Sequence, residues 1–219
     1  MGPQLVPYLG IAYVGAALRA AGHSVDIIDM CGEEITRSEM VESHGLKSAA
    51  PCSFPSGRNL EQNPRASARG SRRRGDGRYV QYGMALAALK GRVKKSEVIG
   101  VTCMFSQDWP FHRRLIQYVR GLFPQAVIMA GGEHVTALAE YCLSDCPELD
   151  VCVLGEGEEI SVGLVAAVAV KKEWADVPGL VYRARASGEI RTTMRAGRIK
   201  DIDRLPLPAW DLIPIENYL

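Results

Sequence analysis

The residues best equipped for chemistry stand together between positions 126 and 136, which read Ala-Val-Ile-Met-Ala-Gly-Gly-Glu-His-Val-Thr. A short apolar run, 127–130, stops at Gly131 and Gly132, and Glu133, His134, Val135 and Thr136 follow. Two glycines let a ligand come close to the backbone. An imidazole offers a neutral nitrogen to a metal or a proton, and a threonine hydroxyl both donates and accepts hydrogen bonds. The pattern is a strand, a tight turn and the start of a helix. In an open parallel sheet, ligands bind outside the carboxyl ends of the strands, where such turns lie. An ordinary strand-to-helix loop with turn glycines gives the same pattern, so the rest of the chain has to decide between them.

The other metal-capable residues are the cysteines: Cys31, Cys52, Cys103, Cys142, Cys146 and Cys152. Cys142 and Cys146 have the first spacing of a CxxxCxxC cluster motif, but the third position is Leu149. Cys103 and Cys152 sit inside apolar runs, where cysteine behaves as a small hydrophobe. Free thiols are therefore expected rather than a metal centre or a disulfide framework. The chain has 219 residues, 47% of them hydrophobic, and a net charge of +1. That charge gives no global electrostatic reason to expect nucleic acid or an anionic membrane. No apolar run reaches the roughly 18–20 residues of a membrane span. The N-terminus lacks the basic and apolar regions of a secretion signal, so a cytoplasmic location is expected.

These residues need elements to hold them. Leu9, Tyr13, Ala16, Ala17 and Ala20 recur at helical spacing, and Gly22 follows as a stop, predicting a helix over 9–21. Residues 24–29 alternate like a buried strand. A parallel sheet asks for a strand before that helix as well, and residues 1–8, with Pro3 and Pro7, do not supply a convincing one. Residues 33–42 read as a loose polar helix. From 44 to 78 the hydrophobic period disappears, and Arg58, Arg65, Arg69, Arg72, Arg73, Arg74 and Arg78 accumulate. No aromatics interleave with them to stack on bases, so a solvated, flexible insertion is expected. Residues 79–95 return to helical spacing.

Three apolar runs then follow at intervals of roughly 25–30 residues, each ending in a polar or glycine-rich turn before a helix. They are 98–104, 127–130 and 150–154. Asp108 is positioned to cap the helix 111–123, and Pro110 fits its first turn. Helices are also expected at 135–143 and 158–172. Repeated βα units mean a parallel sheet with helices on its faces, so all three turns should share one edge. Ser187-Gly188 marks a hairpin within 177–193. The Pro-rich 197–219 reads as a linker or a docking strap.

In this order and spacing, the pieces resemble the N-terminal cobalamin-binding half of the B12-dependent radical SAM proteins. The matching stretches are Pro7-Tyr-Leu-Gly-Ile-Ala-Tyr-Val-Gly-Ala-Ala-Leu-Arg-Ala-Ala-Gly-His, Cys103-Met-Phe-Ser-Gln, Gly131-Gly-Glu-His-Val-Thr-Ala, Gly155-Glu-Gly-Glu-Glu and Leu205-Pro-Leu-Pro-Ala-Trp-Asp-Leu. The resemblance implies an α/β fold with a Rossmann-like, flavodoxin-type, mostly parallel sheet and helices on both faces. A C-terminal β-hairpin and an extended linker would follow. It divides the chain into a cobalamin-binding domain (1–175, with the insertion 44–78), the hairpin (176–196) and a linker (197–219) toward a radical SAM domain.

The resemblance also implies a cobalamin site on three loops. Thr102, Cys103, Met104, Phe105, Ser106 and Gln107 would form the first wall. Gly131, Gly132, Glu133, His134, Val135 and Thr136 would form the second, and Gly155, Glu156 and Gly157 the third. The DxHxxG motif that presents a cobalt ligand in other B12 proteins is absent, because Gly132 stands two residues before His134. His134 is therefore expected in the wall of the pocket rather than on cobalt. Glu156, Glu158 and Glu159 read equally well as a favourable acidic first turn of a helix. The cluster motif of a catalytic half is missing from the chain. S-adenosylmethionine and a [4Fe-4S] cluster would thus belong to a downstream domain acting in cis or in trans, and this chain alone is not expected to catalyse. A stand-alone ligand-binding carrier and a truncated product that binds weakly are the alternatives.

Overall fold

The computed structural model describes residues 6–34, 38–42, 71–73 and 78–219, with side chains described for 6–34 and 83–219. The elements in chain order are helix α1 (Leu9–Ala20), helix α2 (Met30–Glu33), strands β1 (Ser38–Glu42), β2 (Ser71–Arg73) and β3 (Arg78–Tyr82), and helix α3 (Leu89–Arg92). Then come β4 (Val98–Thr102), α4 (Trp109–Leu122), β5 (Val127–Gly131), α5 (Glu133–Asp145), β6 (Val151–Val153), α6 (Gly157–Ala169), β7 (Leu180–Arg183) and β8 (Ile190–Thr192).

The main sheet has the order β4-β5-β6-β7-β8. β4, β5 and β6 run parallel, whereas β7 and β8 join antiparallel as a hairpin that continues the sheet. Side chains of successive strand residues point to opposite faces, and two apolar cores result. One holds Ile128, Ala130, Cys152 and Val181 against Trp109, Ile116 and Val119 of α4 and Val135, Ala139, Cys142 and Leu143 of α5. The other holds Val127, Met129, Val151, Val153, Leu180 and Tyr182 against Ile160, Leu164 and Ala167 of α6. Helices therefore cover both faces, as a Rossmann-like α/β fold requires. On the α6 side α1 packs closely: a Cβ at Gly157 would lie 3.2 Å from Val14, and a Cβ at Gly15 would meet Ile27 at 2.9 Å.

Three local expectations are corrected. Residues 24–29 are extended but belong to no sheet, and no backbone hydrogen bond involves 24–28 among the described residues. An apolar alternating segment becomes a strand only when a neighbour completes its hydrogen bonds, and β4, the terminal strand of the sheet, has none on its outer side among the described residues. Instead of a helix over 79–95, β3 comes first and a short helical stretch, 86–92, follows it. The break is at Gly83, at φ +90, where a Cβ would come within 2.2 Å of the Met30 carbonyl oxygen. Instead of a loose helix over 33–42, α2 ends at Glu33 and β1 pairs with β3 in a second, three-stranded antiparallel sheet. β2 falls in the arginine-rich stretch; the rest of the expected insertion 44–78 lies almost wholly outside the described residues, as does Cys52.

The Pro-rich C-terminal segment docks on the body of the protein. Ala209 and Ile213 are buried at 1% and 5% exposure. The Ala209 amide donates to the Ala12 carbonyl at 3.1 Å, and Arg19 holds both carboxylate oxygens of Asp211 at 2.6 and 3.2 Å. Among the described residues no helix is long and apolar enough to cross a membrane.

Candidate functional site

Parallel register places the three turns on one edge. Thr102 lies opposite Gly131, and Ala130 opposite Cys152, so the chain leaves β4, β5 and β6 in the same direction. The loops are then tied to one another. The Cys103 amide donates to the Gly131 carbonyl at 2.7 Å. The Gly155 amide donates to the Thr136 hydroxyl at 3.0 Å. His134 Nδ1 shares a 2.9 Å hydrogen bond with the Ser106 hydroxyl. The rim is thus a single hydrogen-bonded structure built from the carboxyl ends of three strands.

Gly132 makes the closest approach. It precedes α5 with φ +104 and ψ 174, a conformation essentially confined to glycine. A Cβ there would stand 2.5 Å from the Cys103 carbonyl oxygen and 3.1 Å from Met104 Sδ. Gly155, at φ +82, has nothing within 4 Å of a Cβ position and faces open space.

The candidate residues divide by exposure. Phe105, Ser106, Gln107, Glu133, Thr136, Gly155 and Glu156 are exposed, while Thr102, Met104, Gly131, Gly132 and Gly157 are half-buried. Cys103, His134 and Val135 are buried, and Cys103 and Val135 belong to the core under α4 and α5. The Glu156 carboxylate accepts from the Ile199 amide at 2.5 Å, so it holds the start of the C-terminal segment. No side-chain cap is made at the start of α6, where Glu158 and Glu159 stand in the first turn.

His134 sits beneath the rim. Its ring is 5.2 Å from that of Trp109, and its Nε2 is buried without a hydrogen-bond partner among the described residues. Burial lowers its pKa, so the neutral form is held. Asp108 occupies the cap position of α4 as expected, but its side chain makes no cap hydrogen bond. Its carbonyl instead accepts from His112 Nδ1 at 2.9 Å. Burial pushes the His112 imidazole down to about 4 despite that bond.

A stability consequence follows for both histidines. The folded protein keeps His112 neutral down to about pH 4, whereas the unfolded chain binds a proton near the ordinary value of roughly 6.5. Protonation therefore favours unfolding as pH falls between those values. Urea denaturation is expected to show a loss of about 1–2 kcal/mol between pH 7 and pH 5, and His112→Gln is expected to flatten that slope. An unchanged slope in the variant would refute the assignment.

Sequence reasoning did not single out Trp109 or His112, yet both underlie the rim. Trp109 Nε1 donates to Asp145 at 2.8 Å, and Arg113 contacts both oxygens of the same carboxylate at 3.0 and 2.9 Å. This network joins the start of α4 to the end of α5 and fixes the loop that carries Ser106. The aromatic-proline pair Trp109-Pro110 at a helix start was the available signal. The cysteines behave as small hydrophobes: Cys103, Cys142, Cys146 and Cys152 are buried and free. Burial raises all four thiols, Cys142 and Cys146 to about 12. No cluster of metal ligands occurs among the described residues.

Comparison with known proteins bears directly on this edge. Residues 87–165, which span β4, β5, β6 and their following loops, match the B12-binding domain family. The chain is 28% identical over 122 residues to an uncharacterized methyltransferase of Pyrococcus horikoshii, covering 56% of this chain and 26% of that protein. It is 31% identical over 128 residues to the anaerobic magnesium-protoporphyrin IX monomethyl ester cyclase of Rubrivivax gelatinosus, covering 57% and 22%. It is 24% identical over 238 aligned positions to the cytidylyl-2-hydroxyethylphosphonate methyltransferase of Streptomyces wedmorensis, covering 99% and 38%. The chain thus spans well under half of the length of these relatives. Among solved structures, the cobalamin-dependent S-adenosylmethionine radical enzyme OxsB superposes on 61% of this chain and 18% of its own, with a TM-score of 0.50 at 18% identity. That likeness concerns the fold. Taken with the shared edge and its three joined loops, the family match identifies residues 87–165 as a B12-binding domain.

Proposed function

We propose that this chain binds cobalamin across the carboxyl edge of β4, β5 and β6, and serves as the cobalamin-holding module of a B12-dependent radical SAM protein. The observation that carries the reading is the rim itself: three loops, hydrogen-bonded to one another, open along one edge of a parallel sheet. A corrin is a broad, largely apolar disc with amide side chains, and ligand sites of this kind combine apolar walls with a few placed polar groups. The rim offers that mixture. Phe105, 43% exposed, and half-buried Met104 present apolar surface beside the exposed Ser106, Gln107 and Thr136. At Gly155 the backbone is bare, with nothing within 4 Å of a Cβ position.

Bound cobalamin would supply a cobalt centre able to carry a methyl group. In this reading the chain's own residues bind and orient the disc. Ser106, Gln107 and Thr136 would hydrogen-bond its amide periphery, Phe105 and Met104 would pack on its face, and Gly132 keeps the second loop close to the first. His134 would act as a support beneath the wall, through Ser106 and Trp109, rather than as a cobalt ligand. Residues 1–175 form the module, 176–196 widen its sheet, and 197–219 lead toward a radical SAM domain in cis or in trans. That domain would hold S-adenosylmethionine and the [4Fe-4S] cluster.

Hydroxocobalamin titration tests this directly. Saturable retention, with a shift in the visible spectrum, is expected; cobalamin lost on gel filtration at every concentration would overturn the reading. The placement of the radical step is tested separately, by adding back a radical SAM domain encoded downstream of Leu219 or beside it. If no such frame exists, the stand-alone carrier reading is favoured.

A further inference from the structure

The last residues of the docked C-terminal segment reach loop 29–34, which contains the short helix α2 and follows the extended segment 24–28. The Tyr218 hydroxyl donates to Asp29 Oδ2, and Asn217 Nδ2 donates to the Gly32 carbonyl at 2.9 Å. The other oxygen of Asp29 accepts from the Gly32 amide at 3.0 Å, while the Asp29 carbonyl accepts from the Glu33 amide at 2.9 Å. Asp29 is only 8% exposed. Gly32 is required for this fit: a Cβ there would meet Asp29 Oδ2 and Tyr218 Cε2 at 2.6 Å, and the Tyr218 hydroxyl at 2.7 Å.

We propose that Asp29, Gly32 and Tyr218 form a latch with which the C-terminal strap holds loop 29–34 in place as a fourth wall of the rim, next to the 103–108 loop. This deepens the cobalamin reading and rests on it. The strap adds the Tyr218 and Asn217 hydrogen bonds to the one with which Asp29 caps α2 at the Gly32 amide. Other ties include the Met84 amide on the Met30 carbonyl at 2.6 Å and Arg92 on Glu33 at 2.6 Å, with Lys94 on Asp26 at 2.7 Å in the segment before the loop. The two loops lie within electrostatic reach. Asp108 contributes to raising the Cys31 thiol to about 11, after burial and Asp29. Burial and the Asp29 hydrogen bond also raise the Tyr218 phenol, so it stays a neutral donor at physiological pH. The strap is itself fastened at its other end, through Ala209 to Ala12 and Asp211 to Arg19. Release of Tyr218 would therefore loosen the loop while the strap remained tethered to α1.

Hydrogen exchange and hydroxocobalamin titration on the whole 219-residue chain test the latch, using Tyr218→Phe and Gly32→Ala. Tyr218→Phe keeps the ring but removes the hydroxyl. Gly32→Ala forces the ring away, and the phenylalanine variant covers the case in which the alanine variant fails to fold. In Tyr218→Phe the amides of positions 32 and 33 are expected to exchange about tenfold faster, the loss of one hydrogen bond to a charged group. Protection in β5 and β6 should stay unchanged, and hydroxocobalamin should bind several-fold more weakly. Unchanged exchange at positions 32 and 33 would overturn the latch. Faster exchange with unaltered hydroxocobalamin affinity would overturn its role in the rim. Should the wild-type chain retain no hydroxocobalamin, the proposed function fails, and the latch is decided on exchange alone.

Discussion

A Gly132→Val protein is expected to bind hydroxocobalamin at least about tenfold more weakly than the wild type, an affinity loss of roughly 1.4 kcal/mol or more. Two effects combine. Valine at φ +104 and ψ 174 is strained by about 1–3 kcal/mol. Its Cβ would also stand 2.5 Å from the Cys103 carbonyl oxygen, a backbone atom that cannot swing aside as a side chain can. The 103–108 loop would have to move, although the Cys103 amide is bound to the Gly131 carbonyl at 2.7 Å. Gly155→Ala provides the comparison. It has positive φ but open space at the Cβ position, so its effect is expected to be smaller. Circular dichroism and urea denaturation on both variants separate a deformed rim from a lost fold. A folded Gly132→Val protein with wild-type affinity would show that the backbone at this turn does not support the ligand.

Asp145→Ala is expected to cost about 3 kcal/mol of global stability, the lower end of the range for breaking a buried ion pair. Arg113 and Asp145 are 15% and 13% exposed in their side chains, so the guanidinium left behind would be poorly hydrated. The Trp109 indole N–H would lose its acceptor as well. Exposed pairs such as Lys172–Asp176, screened by solvent, are expected to contribute far less. Asp145→Asn keeps one acceptor and should fall between alanine and wild type. Urea denaturation reads all of these. A loss below about 1 kcal/mol in the alanine variant would mean that water replaces the carboxylate there and that the network is not buried in effect. Because Trp109 lies against His134, which holds Ser106, the same variant should loosen the first and second loops together.

Elements with strong local period were legible from the residues. α1, β4, α4, β5, α5, β6, α6 and the β7–β8 hairpin all fall within a few residues of their expected positions. The shared edge followed from them, because parallel strands separated by helices must send their turns the same way. The stretches that were not legible are those whose state depends on distant partners. Residues 24–28 have the pattern of a strand, but a ladder needs a second chain segment, and no sequence window around them contains it. β3 has the residue types of a strand, yet it also fits a helical spacing. Gly83 against Met30, a contact between distant segments, decides where the helical stretch begins.

Composition and spacing alone therefore determined the layered α/β class, the three loops and the expectation that the cysteines are apolar fillers. Tertiary structure alone decided which residues of those loops face outward. Gln107, Thr136 and Gly155 reach the solvent side, while Cys103, His134 and Val135 turn inward. It also decided that the Pro-rich end is a docked strap whose last tyrosine meets Asp29. The physical reason is one of range. Hydrophobic period records which way a residue points relative to its own neighbours in sequence. Burial and hydrogen bonding between loops depend on where the fold places residues that are far apart in the chain.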